Sequence, residues 1–123
     1  MSRKGKQHET NSKKFLKEFF HTELVFKLIN TERMDFIVID SIGSIHIIEA
    51  KHTKSNYYNP KSSPEKREQL NRYFDILHEL RSLKDQHFSS FRMLVRLRGK
   101  LIFERYETID EIPTRIEVKN VKN

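Results

Sequence analysis

No cysteine occurs among the 123 residues, which excludes a disulfide framework and any thiolate zinc site. The six histidines are scattered without two-plus-two ligand spacing, so a structural zinc is not expected. No stretch approaches the roughly 18 apolar residues of a membrane span. Residues 1–14 are polar and charged rather than an apolar run behind basic residues. The expectation is a soluble, intracellular, cytoplasmic protein without a membrane partner. Internal repeats, domain linkers and low-complexity segments are also missing. Acidic charge is in short supply, with 17 Asp plus Glu against 24 Lys plus Arg and a net charge of +7. The pI is near 9.7. That balance favours polyanionic partners such as nucleic acid. The length suits a single domain over 1–123 with a real core, and flexible ends are expected at 1–5 and 114–123.

The residues that are present are patterned. Phe15, Leu16, Phe19 and Phe20 recur at helical spacing among lysines, which predicts an amphipathic helix over 6–20. Residues 23–30 carry Leu24, Val25, Phe26, Leu28 and Ile29 and read as a strand, and 35–40 and 44–51 read as two more around Ser41-Ile42-Gly43. The latter two are apolar on both faces in the middle, as strands at the centre of a covered sheet are. A polar loop is expected over 52–63. Ser63 as N-cap and Pro64 in the first turn open a long helix with Leu70, Tyr73, Phe74, Leu77, Leu80 and Leu83 as its stripe. Residues 91–97 and 101–106 read as strands around Arg98-Gly99-Lys100, and no element is predicted after Pro113. The predicted class is α/β, a central mixed β-sheet flanked by helices in the order α-β-β-β-α-β-β.

The segment 35–51 carries the functional signal. Opposed residues of an antiparallel pair share a face, so the loop length decides which side chains meet. A two-residue loop at Ile42-Gly43 would set Asp35 opposite Ala50 and send Glu49 and Lys51 to the other face. A three-residue loop, Ser41-Ile42-Gly43, sets Asp35 opposite Glu49, with Lys51 two residues on and pointing the same way. Such loops place their third residue in the left-handed region, where glycine costs least, and Gly43 is there. The same register pairs Ile37 with Ile47 and Ile39 with Ile45 as an apolar layer.

Two carboxylates one strand spacing apart suit Mg²⁺, with Mn²⁺ able to substitute, and the Ala50 carbonyl and waters would complete the shell. A hard cation there would activate water and neutralise charge developing on a phosphate. Lys51 would orient or help to deprotonate the attacking water. With 17 acidic residues and 14 lysines, about two Asp/Glu-x-Lys matches arise by chance. Glu117-Val118-Lys119 is such a match, without a preceding hairpin, and reads as a solvated charge pair. For Asp35, Glu49 and Lys51 the bland alternative is a salt-bridged cluster at a strand end.

Met34-Asp35 followed by Glu49-Ala50-Lys51 resembles the signature of the PD-(D/E)xK nuclease superfamily, and within it the archaeal-type Holliday junction resolvases. Met34 stands where proline is usual. The Lys4-Gly5 start and Glu9 near the head of the first helix are similar to the resolvases' opening, where the helix glutamate joins the metal site, and 91–106 resembles their closing strand pair. The likeness covers about residues 4–106. It implies a restriction-endonuclease-like core, Mg²⁺-dependent hydrolysis of phosphodiester bonds, a homodimer, and branched or four-way junction DNA as substrate, hence a DNA-associated protein of recombination and repair. The loop before Asp35 lacks the Gly/Ser-rich segment often present in resolvases. Gln69-Leu70-Asn71-Arg72-Tyr73 resembles the Q-x-x-x-Y element of RecB-like nucleases, which implies that Gln69 and Tyr73 reach the metal water or a phosphate. That element keeps a RecB-like exonuclease or flap nuclease open. A non-catalytic nucleic-acid-binding module is the alternative from another class, and an RNA endonuclease is a third option.

The remaining polar residues divide between roles. Glu9 either supports the metal or complements the helix dipole, and Tyr73 either joins the site or belongs to the core stripe with Gln69 solvated. His46 shares a face with Val38 and is expected to pack there, while His52 reads as a surface or loop histidine. Lys4, Lys6, Lys13, Lys14 and Lys17 at the first helix, with Lys54, Lys61, Lys66 and Arg67 after the hairpin, form a basic set that could clamp phosphates. Tyr57 and Tyr58 could stack on an unpaired base.

Overall fold

A computed structural model describes residues 3–28 and 34–118, with side chains for 7–28 and 35–118. The elements in chain order are α1 Arg3–Phe20, β1 Val25–Lys27, β2 Met34–Ile39, β3 Ile45–Thr53, β4 Tyr57–Tyr58, α2 Pro64–Arg81, β5 Ser90–Leu97, β6 Lys100–Tyr106, a 3-10 turn Ile109–Glu111 and β7 Ile116–Glu117. Five strands form one mixed sheet in the order β1-β2-β3-β5-β6, and β4 with β7 forms a separate two-stranded ribbon. The pair β3/β5 is parallel, with α2 in the crossover, and its neighbours are antiparallel. The α/β class and the mixed sheet between two helices match the expectation. The order differs, because the ribbon adds two strands.

Each helix covers one face of the sheet. From α2, Leu70, Tyr73, Phe74 and Leu77 pack with Ile47, Phe91, Met93, Val95 and Leu97. From α1, Leu16 packs with Phe36, Val38, Ile48, Ala50 and Leu94. Burying each such aliphatic or aromatic side chain contributes about 1.5–3 kcal/mol. The α2 start is as expected: Ser63 Oγ accepts from the Lys66 N–H at 3.2 Å with Pro64 in the first position. Leu83, expected in the α2 stripe, lies past the helix end and is exposed. α1 begins at Arg3, inside the end expected to be flexible. It closes with His21 left-handed at φ 52 and Thr22 N–H bonded back to the Lys17 carbonyl at 3.1 Å.

The first predicted strand is shorter than 23–30 because β1 pairs with β2 only over Val25, Phe26 and Lys27. Ile29 and Asn30 lie outside the described residues. The β4/β7 ribbon was not expected. Tyr57 pairs with Glu117 and Tyr58 with Ile116, so the supposed polar loop and the tail each supply two residues of strand. Glu117, read above as solvated, is half-buried there and lies 3.9 Å from Arg115. Lys119 is outside the described residues.

The β2/β3 hairpin has the three-residue loop. Gly43 has φ 83, its N–H bonds to the Asp40 carbonyl at 3.0 Å, and Asp35 faces Glu49, Ile37 faces Ile47 and Ile39 faces Ile45. A polar chain on the α1 face pins the loop. Asp40 Oδ1 accepts from the N–H groups of Ile42 and Ser44 at 3.1 and 2.9 Å. Asp40 Oδ2 lies 2.8 Å from His46 Nε2, and Ser90 Oγ lies 2.6 Å from His46 Nδ1. Burial lowers the His46 pKa, Asp40 works against that, and Arg92 and Arg105 add to it. The ring is therefore neutral, donating from Nε2 to a carboxylate that can only accept and accepting at Nδ1 from the serine hydroxyl. Burial pushes Asp40 up, but the bonds from His46, Ser44 and Ile42 outweigh it and leave its pKa below the ordinary value. His46 packs as expected, stacked on Phe20 at 4.4 Å.

Candidate active site

Asp35 and Glu49 face each other from β2 and β3 and are almost wholly buried, at 1% and 3% exposure. Burying two carboxyl groups opposite each other is costly unless donors, a shared proton or a cation compensate them.

α2 supplies donors to Asp35. Tyr73 Oη donates to Asp35 Oδ2 at 2.5 Å, and Gln69 Nε2 donates to Tyr73 Oη at 2.6 Å and to Asp35 Oδ2 at 3.3 Å. The i,i+4 spacing brings both side chains to one side of the helix. Tyr73 thus belongs to the core stripe and also bonds Asp35, and Gln69 is not merely solvated. Burial pushes the Tyr73 phenol far up, the hydrogen bond and charge of Asp35 push it further, Glu49 adds to this, and Gln69 opposes it. The phenol keeps its proton and remains a donor. Both contacts fall on Oδ2, so neither occupies Oδ1.

Lys51 lies two positions beyond Glu49 on the same strand face and is exposed. Its Nζ sits 5.8 Å from the centre of the Tyr58 ring, and Lys66 Nζ sits 5.0 Å from the same ring. One buried tyrosine therefore steadies two ammonium groups. Its own place is set by the pairing with Ile116. Tyr58 is thus a support for Lys51 rather than an exposed stacking residue. Ala50, between Glu49 and Lys51, turns its methyl into the α1-side core.

Glu9 is not gathered into this group. Its Oε2 meets Lys27 Nζ at 3.0 Å, on the α1 side. The helical spacing located Glu9 on α1, but α1 covers the face that bears Phe36 and Ile48, opposite to the carboxylates. His52 also points to the α1 side, where its ring stacks on His8 at 3.5 Å.

The basic set is split. Lys61 Nζ bonds the Ile109 carbonyl at 3.4 Å, Lys66 Nζ bonds the Asn59 carbonyl at 3.4 Å, and Arg67 Nη1 bonds the Lys61 carbonyl at 2.8 Å. These three brace the loop leading into α2. Lys13, Lys14 and Lys17 line a separate cleft of about 380 Å³ along α1, and Lys54 lines another of about 450 Å³. The side chains of Lys4 and Lys6 lie outside the described residues.

No family model, curated protein or solved structure matches this chain. Among the described residues, no group of three or more His, Asp or Glu forms a potential metal cluster. The side-chain donor set between β2 and β3 is therefore the two carboxyl groups of Asp35 and Glu49. That set fits a hard dication that keeps much of its water, as Mg²⁺ does, and does not fit a metal that needs imidazole or thiolate. Sequence reasoning missed the support from Tyr58 and Ile116. Its only signal was two short β-prone runs, Tyr57-Tyr58 and Ile116-Glu117-Val118, 58 positions apart.

Proposed function

We propose that this chain is a Mg²⁺-dependent DNA endonuclease with a restriction-endonuclease-like core, acting on branched DNA as a homodimer. The observation that carries the reading is the opposed buried pair Asp35 and Glu49, with Lys51 next along the same face and Tyr73 and Gln69 donating to Asp35. Asp35, Glu49 and the Ala50 carbonyl would hold the cation. When bound, the cation supplies Lewis-acid stabilisation of charge developing on the scissile phosphate. Tyr73 and Gln69 fix the orientation of Asp35, and Tyr58 limits the sweep of Lys51. Lys51 brings an exposed ammonium to the edge of the carboxylate pair, where it binds the phosphate and orients water by donating to it. The net charge of +7 supports a polyanionic substrate. The homodimer is supported by Leu24, Phe26 and Leu28, which are exposed at alternate positions at and beside β1, an edge strand. No described helix is long and apolar enough to cross a membrane.

A second reading, a RecB-like exonuclease or flap nuclease, is favoured by the contacts of Gln69 and Tyr73 with Asp35. The deciding experiment is cleavage of end-labelled four-way junction, flap, linear duplex, single-stranded DNA and RNA, with Mg²⁺ or EDTA, by wild type and Lys51→Ala. Paired nicks in the junction alone, lost with EDTA and at least about 100-fold slower in the variant, support the resolvase. Digestion from ends or at flaps moves the reading to the RecB-like class. Tight binding without cleavage leaves a binding module, and cleavage of RNA alone replaces DNA as the substrate.

A further inference from the structure

On the face of the sheet opposite the carboxylates, a cleft of about 450 Å³ opens between α1, the end of β3 and the β5–β6 turn. Its volume falls within the roughly 300–1,000 Å³ usual for ligand clefts. Its lining includes His8 and Asn11 from α1, His52 and Lys54 from the β3 end, and Arg98 and Gly99 from the turn. None of its lining residues is acidic, although the chain has 17 acidic residues. Side-chain donors and two permanent cations without a carboxylate make a chemical environment for an anion.

The turn adds an independent indication. Arg98 and Gly99 have φ 49 and φ 80, and Leu97 pairs with Lys100 around them. Such two-residue hairpin turns favour Asn, Asp or Gly in both central positions, and an arginine in the first is strained. Arg98 lines the cleft, and its Nη1 donates to Asn56 Oδ1 at 2.9 Å, which holds the guanidinium at the cleft's edge.

We propose that this cleft binds a phosphate group of a nucleic-acid strand. The proposal rests on the reading of the chain as a nucleic-acid-processing protein and extends it to a second contact outside the hydrolytic site. Lys51 and His52 are consecutive on β3 and therefore point to opposite faces. A strand whose reacting phosphate lies at Lys51 can pass over the end of the sheet and set a neighbouring phosphate between Lys54 and Arg98. The stacked His8 and His52 rings form a flat wall of the cleft.

Arg98→Asn is the informative substitution, because asparagine suits the turn and removes the cation. Lys54→Gln is the companion. Binding of a labelled single-stranded oligonucleotide is measured by anisotropy in EDTA across a salt series, and amide shifts are followed by NMR with the oligonucleotide, thymidine monophosphate and inorganic phosphate. Each variant is expected to weaken strand binding several-fold and to lower the log–log salt slope by about 0.7 per lost contact. The Tm of Arg98→Asn should not fall. Amides of residues 52–54 and 98–99 should shift with the strand at lower concentration than with the small phosphates. Unchanged affinity and slope in both variants overturn the proposal, as do shifts produced by small phosphates and not by the strand. Loss of strand binding in the variants without any cleavage by wild type keeps this site and removes the nuclease. Normal binding by the variants beside cleavage that depends on Lys51 does the reverse.

Discussion

The two ends of the β2–β3 hairpin carry polar clusters built on the same strands and opposite in logic. At the loop end, Asp40, His46 and Ser90 form a chain in which donors meet acceptors and a neutral ring lies beside a carboxylate. At the open end, two buried carboxyl groups face each other, and Tyr73 and Gln69 from a different element donate to Asp35. The loop end follows what stability asks of buried polar groups, since Asp40, His46 and Ser90 each have a partner. The open end buries two acidic side chains against each other, an arrangement that the proposed metal site would use. Substitutions at the two ends should therefore separate activity from stability.

The largest contrast is expected from Asp35→Asn. The amide still accepts from Tyr73, so thermal denaturation should show stability changed by no more than about 1 kcal/mol. Phosphodiester hydrolysis should fall by about three orders of magnitude in a single-turnover assay. A large loss of stability with retained cleavage would invert the comparison. His46→Ala should behave in the opposite way. Asp40 and Ser90 lose their buried partner, and urea denaturation should report a loss of about 2–3 kcal/mol with the cleavage rate of the folded protein unchanged.

Tyr73→Phe sharpens the picture, because the ring stays packed while the donor to Asp35 is removed. About a tenfold slower cleavage and about 1 kcal/mol lower stability are expected from parallel kinetic and denaturation measurements. The smallest effect is on pH dependence. His46 has a folded pKa below its ordinary value, so the unfolded chain binds more protons in the interval between the two. Its contribution is fully present above about pH 6.5 and is lost as pH falls toward the folded value, by at most about 1.4 kcal/mol per pH unit. Denaturation midpoints at pH 7.5 and 5.5 should differ in wild type and converge in His46→Ala.

What could be read from the sequence was local. Three loop residues with glycine at the left-handed position determine which side chains of β2 and β3 meet, so the Asp35–Glu49 register is legible in the sequence. The same holds for Ser63 and Pro64 at the start of α2. Contacts made across the chain were not legible. Periodicity assigned His46 to an apolar face but could not reveal Ser90, 44 positions away, as its partner. It located Glu9 on a helix but not the sheet face that the helix covers, and there Lys27 takes its carboxylate. Tyr58 and Ile116 each belong to a two-residue strand, too short for any pattern to register.

The parallel pairing of β3 with β5 bears on the order in which the molecule folds. The β2–β3 hairpin closes through three residues, whereas β3 reaches β5 across a separation of 44. Hairpins form in about 1–10 μs, while pairings this remote in the chain are slow. In a refolding chain Asp35 and Glu49 thus come face to face early, and Tyr73 arrives only when α2 docks with β5. Docking of α2, which completes the core, is also what brings the Tyr73 donor to Asp35, so the hairpin by itself is an unfinished site.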